Sequence, residues 1–171
     1  MACVSPLWAH QPWLSQETLG EFFPEAENFV SRKKTLKPED IYEIEKLAGD
    51  KIHEVDKDLT IYVALGRDAQ SGRFRSIGAV LMVDAQGIQG LVDLIVAYEL
   101  NCTVKKVAIA ANEDDQRLES QPFLKQFEGR SLSDSWDPDK DFQLVGNQES
   151  ARAVVRAVRR GMYLLQSILN R

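Results

Sequence analysis

The chain has 171 residues, of which 44% are hydrophobic and 27% are charged, which are ordinary proportions for a globular protein with one core. Its net charge of −5 gives no indication of nucleic-acid binding. No stretch approaches the roughly 20 consecutive apolar residues that a membrane-spanning helix needs, and residues 1–12 lack the basic and apolar regions of an intact signal peptide.

The first third of the chain predicts a tail and two helices. Residues 1–13 show no periodic pattern, so we expect an irregular N-terminal tail ahead of one domain at 14–171. A short helix follows the tail and ends at Pro24. Pro38 is suited to the first position of a second helix, and Gly49 is suited to end it.

The middle of the chain has the composition and alternation typical of β-strands. β-Branched and apolar residues dominate four runs, Leu59–Leu65, Ile77–Val83, Leu91–Tyr98 and Thr103–Ala110. The links between them are short, which favours antiparallel hairpins over parallel crossovers. The third run is apolar apart from Asp93, so its length alone does not exclude a helix. Asp93 is expected either at a sheet edge or in a charge pair.

The last third of the chain predicts a short helix, a loop and a long helix. Pro122–Phe127 is apolar on one side and is followed by Gly129, which suits a helix end. Residues 131–141 form an acidic loop, and the last helix spans roughly 148–169 with a continuous apolar stripe. We expect the short helix to pack against that stripe. These elements predict a single α+β domain, in which helices flank an antiparallel sheet.

Few residues have the spacing of a metal or catalytic site. Cys3 and Cys102 form no CxxC pair, and Cys102 is interpreted as a small buried hydrophobic residue in a strand. His10 and His53 have no serine or cysteine partner nearby in the sequence. The aspartates within 137–141 have the spacing that begins a calcium loop, but the glycine and the final glutamate of such a loop are missing. This favours a solvated acidic loop.

The most distinctive segments are Pro122–Gly129 and Val145–Val154, near the end of the chain. Together with Leu19–Ala26 and Leu36–Gly49, they resemble the FMN-binding domain family. That family includes flavin-carrying subunits of the sodium-pumping NADH:quinone reductase and of the Rnf complex, and the regulator of nitrous oxide reductase. The resemblance extends over about residues 19–169. It implies an extracytoplasmic or periplasmic, membrane-associated protein that takes part in electron transport.

The resemblance also implies a flavin site at the start of the last helix. The family attaches FMN there through a hydroxyl group, where free backbone amides and the helix dipole favour a phosphate. The positions that resemble this site are Gly146, Asn147, Gln148 and Ser150, together with Glu113 from a second flavin motif. Only Gly146 and Ser150 keep the family's attachment residues. The substitutions predict that Ser150 carries no covalent flavin, and Asn147 is equally suited to cap the helix.

Two functional hypotheses follow from the resemblance. In the first, the chain is an electron-transfer or accessory subunit of a membrane-associated redox complex, with FMN bound non-covalently. In the second, the chain is a flavin-free structural or assembly subunit that kept the scaffold and lost the cofactor. The sequence shows no catalytic constellation, so a redox carrier is the most that the first hypothesis implies.

The end of the chain predicts a partner surface. Residues 151–171 contain five arginines and no acid, although the whole chain has a net charge of −5. The helical period places Arg152, Arg156 and either Arg159 or Arg160 on one side of the helix. A solvated face explains this pattern. The resemblance adds the alternative that Arg152, Arg156 and Arg159 bind an acidic subunit of the complex or anionic headgroups.

Overall fold

A five-stranded antiparallel sheet forms the centre of the molecule, and its strands lie side by side in chain order. The computed structural model describes residues 14–169, so the predicted tail at 1–13, with Cys3 and His10, lies outside the described residues. The strands are β1 (Asn28–Thr35), β2 (Asp58–Arg67), β3 (Phe74–Gln86), β4 (Leu91–Glu99) and β5 (Val104–Asn112).

Helices flank this sheet, which confirms the predicted α+β class. They are α1 (Gln16–Phe22), α2 (Pro38–Ala48), α3 (Gln121–Leu124), α4 (Pro138–Asp141) and α5 (Gln148–Leu169). The last of them has the predicted bounds and runs for 22 residues. Between residues 14 and 169, the structure contains no helix that combines the length and the apolar character needed to cross a membrane.

Local chemistry explains where the early helices begin and end. The Ser15 side chain accepts a hydrogen bond from the Thr18 amide at 3.0 Å and so caps α1. Lys37 precedes α2 without a capping side chain, but its backbone N–H donates to the carboxylate of Asp40 at 3.4 Å. Gly49 ends α2 in the left-handed conformation, at a φ of 67°.

The two faces of the sheet carry different helices. On β2, Ile61 and Val63 point to the core beneath α5, whereas Tyr62 and Ala64 point to a second core beneath α1. Helix α5 lies mainly over β3 and also contacts β4 and α2. Both layers therefore follow from the alternation of apolar residues along the strands and the apolar stripe of α5.

Three sequence interpretations were wrong or incomplete. β1 was not predicted because its side chains are largely exposed at the edge of the sheet, so it lacks a clear apolar alternation. Cys102 lies half-buried in the turn between β4 and β5, at a φ of 61°, rather than inside a strand. Asp93 belongs to the inner strand β4, opposite Asp84 of β3, and so does not lie at a sheet edge.

The segment between α3 and α5 contributes aromatic side chains to the core. Phe127 is fully buried, 5.5 Å from Phe123 and 5.2 Å from Phe142 between ring centroids. Trp136 stacks on the same ring at 6.4 Å. The predicted acidic loop thus contains a helical turn, α4, between two buried aromatic residues, and the short helix shares one continuous core with the stripe of α5.

Candidate functional site

The start of α5 lies beside the β3–β4 turn and the loop that follows β5. The side-chain oxygen of Asn147 accepts hydrogen bonds from the amides of Glu149 at 3.0 Å and Ser150 at 3.2 Å. Gly146 precedes this cap at a φ of 59°, and a Cβ atom there would collide with the carboxylate of Asp115. Asn147 therefore caps α5, and Gly146 allows the chain to approach the loop closely.

The carboxylate of Asp114 lies between this helix start and the β3–β4 turn. It accepts hydrogen bonds from the amides of Gln89 at 2.5 Å, Gly90 at 3.2 Å and Asp115 at 2.8 Å. The hydroxyl of Ser150 is bonded to the same turn and helps to lower the pKa of Asp114. Partial burial acts to raise the pKa of Asp114, but these hydrogen bonds hold it below its usual range.

Ser150 is fully enclosed by these contacts. The side chain is 0% exposed, and its oxygen accepts a hydrogen bond from the amide of Ile88 at 3.0 Å. Gly87 packs so closely that a Cβ atom there would collide with Asp114 and press on Ser150. The hydroxyl that the family uses for flavin attachment is thus buried and already bonded to the backbone of the β3–β4 turn.

The remaining predicted flavin positions lie apart from this group. Gln148 is exposed at the first position of α5, and its side-chain oxygen accepts a hydrogen bond from Arg152 at 3.4 Å. Glu113 is also exposed, and its amide continues the strand pairing by donating to Leu91 at 2.9 Å. The structure brings Gly146, Asn147 and Ser150 together, but neither the Gln148 side chain nor the Glu113 side chain joins them.

Sequence reasoning missed the two acids that complete this arrangement. Asp114 fills the amide pocket, and Asp115 accepts from the amide of Asn147 at 2.7 Å while pairing with Arg117 at 2.7 Å. The bonds from Arg117 are the main reason why the pKa of Asp115 lies well below its usual range. The sequence feature that indicates such a site is the run of three acids after β5. Aspartate side chains readily accept hydrogen bonds from backbone amides in a tight loop.

A second group of polar side chains lies inside the domain, between α5 and the segment that precedes β2. We call it the Arg160 cluster, and its members are Asp50, His53, Asp56, Asp84 and Arg160. One guanidinium nitrogen of Arg160 donates to the backbone oxygen of Asp84 at 2.5 Å and to the carboxyl of Asp56 at 3.1 Å. The other bonds to Asp50, and Nδ1 of His53 lies 2.6 Å from the carboxylate of Asp84.

The burial of Arg160 corrects the alternative that placed it on the outer side of α5. Its side chain is 1% exposed, whereas Arg152, Arg156 and Arg159 are partly exposed as predicted for the outer stripe. In an α-helix each residue is rotated by about 100° around the axis from the residue before it. The side chain of Arg160 therefore points away from the outer stripe and toward Asp84 of β3. The cluster itself was missed because its members are distant in the sequence.

Burial and hydrogen bonding shift the pKa values of three members of the cluster away from their usual values. Burial raises the pKa of Asp56 to about 7, although the charge of Arg160 opposes this shift. The hydrogen bond to Asp84 raises the pKa of His53. Burial acts to raise the pKa of Asp84 too, but the bonds from His53 and Asp56 keep it below its usual range. The pKa values of Asp56 and Asp84 therefore move apart, although one nitrogen of Arg160 donates to both carboxyl groups.

The cluster has the ligand types of a metal site but already contains a cation. Within residues 14–169, only His53, Asp56 and Asp84 bring three ligand atoms within 4.8 Å of one another. The guanidinium of Arg160 donates to both aspartates, so a metal ion would bind beside a fixed positive charge. The aspartates at 137–141 do not converge in this way, because Asp139 pairs with Arg152.

Comparison of the chain with protein-family models and with curated proteins finds no match. Membership of the FMN-binding domain family therefore remains a prediction from the residues that resemble its motifs.

Proposed function

We propose that this chain is a flavin-free accessory subunit of a membrane-associated redox complex. The contact that carries the proposal is the carboxylate of Asp114, which occupies the amide pocket of the β3–β4 turn beside the start of α5. The resemblance to the FMN-binding domain family supports the assignment to a redox complex on the extracytoplasmic side of a membrane. On this proposal the chain keeps the scaffold of the family and contributes contacts rather than electrons.

Electrostatics supports the absence of flavin. Backbone amides at a turn and at a helix start are the donors that usually bind a phosphate. Here the carboxylate of Asp114 accepts from the turn amides, and the side chain of Asn147 accepts from the amides at the helix start. Glu149 adds a second negative charge in the first turn of α5. A phosphate would have to displace Asp114 and would be repelled by both acids. The buried hydroxyl of Ser150 is also a poor acceptor for a transferase that must reach it.

Spectroscopy and mass spectrometry of the purified protein test this proposal. We expect no absorbance between roughly 350 and 500 nm and an intact mass equal to that of the polypeptide. A yellow protein would contradict the proposal. If the mass increased by that of FMN minus water, and Ser150→Ala abolished the increase, the flavin would be attached covalently at the family position.

Titration with free FMN provides a test with a matched control. Asp114→Ala removes the internal carboxylate and leaves the amides and the Ser150 hydroxyl available, so we expect this variant to bind FMN more tightly than the wild type. Glu113→Ala removes the neighbouring exposed acid and should bind no better than the wild type. Micromolar affinity of the wild-type protein for FMN would overturn the proposal.

The outer stripe of α5 provides a surface for an acidic partner. Arg152 is neutralised by Asp139 and Glu149, each 2.6 Å away. Arg156 and Arg159 form no ion pair with any residue between 14 and 169. The guanidinium carbon of Arg159 lies 5.8 Å from the centroid of the Tyr163 ring, and its side chain stays partly exposed. These two arginines therefore fit an acidic segment of a partner protein better than Arg152 does.

A further inference from the structure

The segment at residues 50–57 is attached to the rest of the domain through both polar and apolar contacts. It leads from α2 to β2, and its Asp50 and Asp56 both bond to Arg160 of α5. His53 bonds to Asp84 of β3. Ile52 is buried in the core beneath α5, and the backbone oxygen of Lys57 accepts from the amide of Leu36 at 2.8 Å. The Arg160 cluster supplies the charged part of this attachment, so the protonation of the cluster affects how firmly the segment is held.

The charges of the cluster balance only when one acid is protonated. The groups that face Asp56 are Asp50 and His53 of the same segment, Asp84 of β3 and Arg160 of α5. The two positive charges, on Arg160 and on protonated His53, balance two of the three carboxylates. The third acid is therefore left without a counter-charge in a buried position. From β4, Asp93 lies opposite Asp84, and Tyr98 remains a neutral phenol because burial raises its pKa well above its usual value.

We propose that Asp56 is a proton-binding site that controls the attachment of residues 50–57 to α5. While the segment is attached, Asp56 holds the proton and its carboxyl group accepts a hydrogen bond from Arg160. Loss of that proton leaves an uncompensated charge among buried groups, which favours release of the segment into solvent. This inference does not depend on the proposed role in a redox complex.

The direction of the pH effect follows from the two states of Asp56. In the attached segment its pKa is about 7, whereas a solvated aspartate has a pKa of about 3.9. Between these values only the attached form holds the proton, so the equilibrium constant for release rises by up to about tenfold per pH unit. His53 acts in the same direction because its pKa is also raised. Asp84 acts in the opposite direction, but only below the ordinary pKa of an aspartate.

Hydrogen–deuterium exchange of the full chain tests this inference. After correction for the intrinsic pH dependence of exchange, we expect the protection of peptides from residues 50–57 to fall at least about tenfold between pH 5 and pH 7.5. Peptides from β3 and β4 should keep their protection. Asp56→Asn mimics the protonated acid and should leave only the smaller loss of protection that His53 contributes. Asp58→Asn removes an exposed acid two residues away and should behave like the wild type.

Either of two results would overturn the inference. One is equal protection of residues 50–57 at both pH values in the wild type, and the other is an Asp56→Asn protein that shows the same pH dependence as the wild type. If Asp56→Asn does not fold, the carbon-13 shift of the Asp56 carboxyl in the wild type decides the question. Titration of that carboxyl near neutral pH supports the inference, and titration near pH 4 refutes it.

Discussion

Arg160 donates a buried hydrogen bond to Asp56, with 3.1 Å between a guanidinium nitrogen and a carboxyl oxygen. The two residues come from elements that are 104 positions apart in the chain, so their contact fixes α5 against the segment that precedes β2. A buried arginine of this kind adds little net stability over a well-packed apolar residue. Removal of one partner is different, because it leaves the other charges buried and unpaired.

Arg160→Met should therefore destabilise the fold strongly. It leaves the carboxyl groups of Asp50, Asp56 and Asp84 without their cation, and we expect the free energy of unfolding to fall by about 3–5 kcal/mol. Arg156→Met, one turn earlier on the outer stripe, is the matched control and should change stability by less than about 0.5 kcal/mol. Urea denaturation at pH 6 measures both, and equal stability of the two variants would contradict the ion-pair assignment.

His53→Gln should lose stability only at acidic pH. The hydrogen bond to Asp84 raises the pKa of His53, so its stabilising effect is complete below the ordinary histidine value of about 6.5 and disappears as the pH rises through the raised value. Glutamine keeps a neutral donor but not the charge, and we expect a loss of about 1 kcal/mol at pH 5.5. Urea unfolding at pH 5.5 and 8.5 checks the sign, and a larger loss at pH 8.5 would contradict it.

Asn147→Ala should cost about 1 kcal/mol, because it removes the acceptor for two amides at the start of α5. Gln148→Ala changes the next residue, which is exposed and caps nothing, so it should have little effect. Thermal or chemical unfolding of the two variants distinguishes a capping role from a general sensitivity of this position. A loss of the same size in both variants would rule out the capping role.

Periodicity in the sequence predicted most of the fold. Helix α5 and strands β2 to β5 have long apolar patterns, and they appear where those patterns lie. The sequence pattern did not predict β1. An edge strand buries few side chains, so apolar and polar residues need not alternate along it. The acidic loop predicted at 131–141 contains the buried Trp136, which stacks on Phe127, since a polar sequence context does not reveal tertiary contacts.

The candidate sites were predicted only where the contacts are local. Asn147 was recognised as a possible cap because a cap depends on neighbours within three residues. The bonds from Gln89 and Gly90 to Asp114 span 25 and 24 positions, so only the folded sheet brings them together. The phase of α5 decides whether Arg159 or Arg160 points inward, and the arginine pattern alone did not settle that.

Phe127→Ala should be among the most damaging core substitutions. The side chain is 0% exposed and lies within 6.4 Å of three aromatic rings, so truncation leaves a cavity that its rigid neighbours cannot fill. We expect a loss of about 3–5 kcal/mol in the free energy of unfolding. Phe74→Ala is the control, because that ring is 52% exposed and should cost far less. Similar unfolding midpoints for the two variants would contradict the core assignment.

The proposed partner surface predicts a charge-dependent association. Arg156→Glu combined with Arg159→Glu reverses the two outer arginines that form no ion pair among residues 14–169, while the buried Arg160 stays in place. If an acidic partner protein binds there, the double variant should no longer co-purify with its complex or membrane fraction at physiological salt. Circular dichroism and thermal unfolding should show that the fold is unchanged.

A matched control separates a specific surface from the overall change in charge. Arg73→Glu combined with Arg75→Glu alters the net charge by the same amount at the exposed β2–β3 hairpin, and we expect it to leave co-purification unchanged. Arg152→Glu should have an intermediate effect, because Asp139 and Glu149 already neutralise Arg152. High salt should weaken the wild-type association in the same way as the charge reversal. Co-purification of the Arg156 and Arg159 double variant at wild-type levels would leave the outer stripe as an ordinary solvated face.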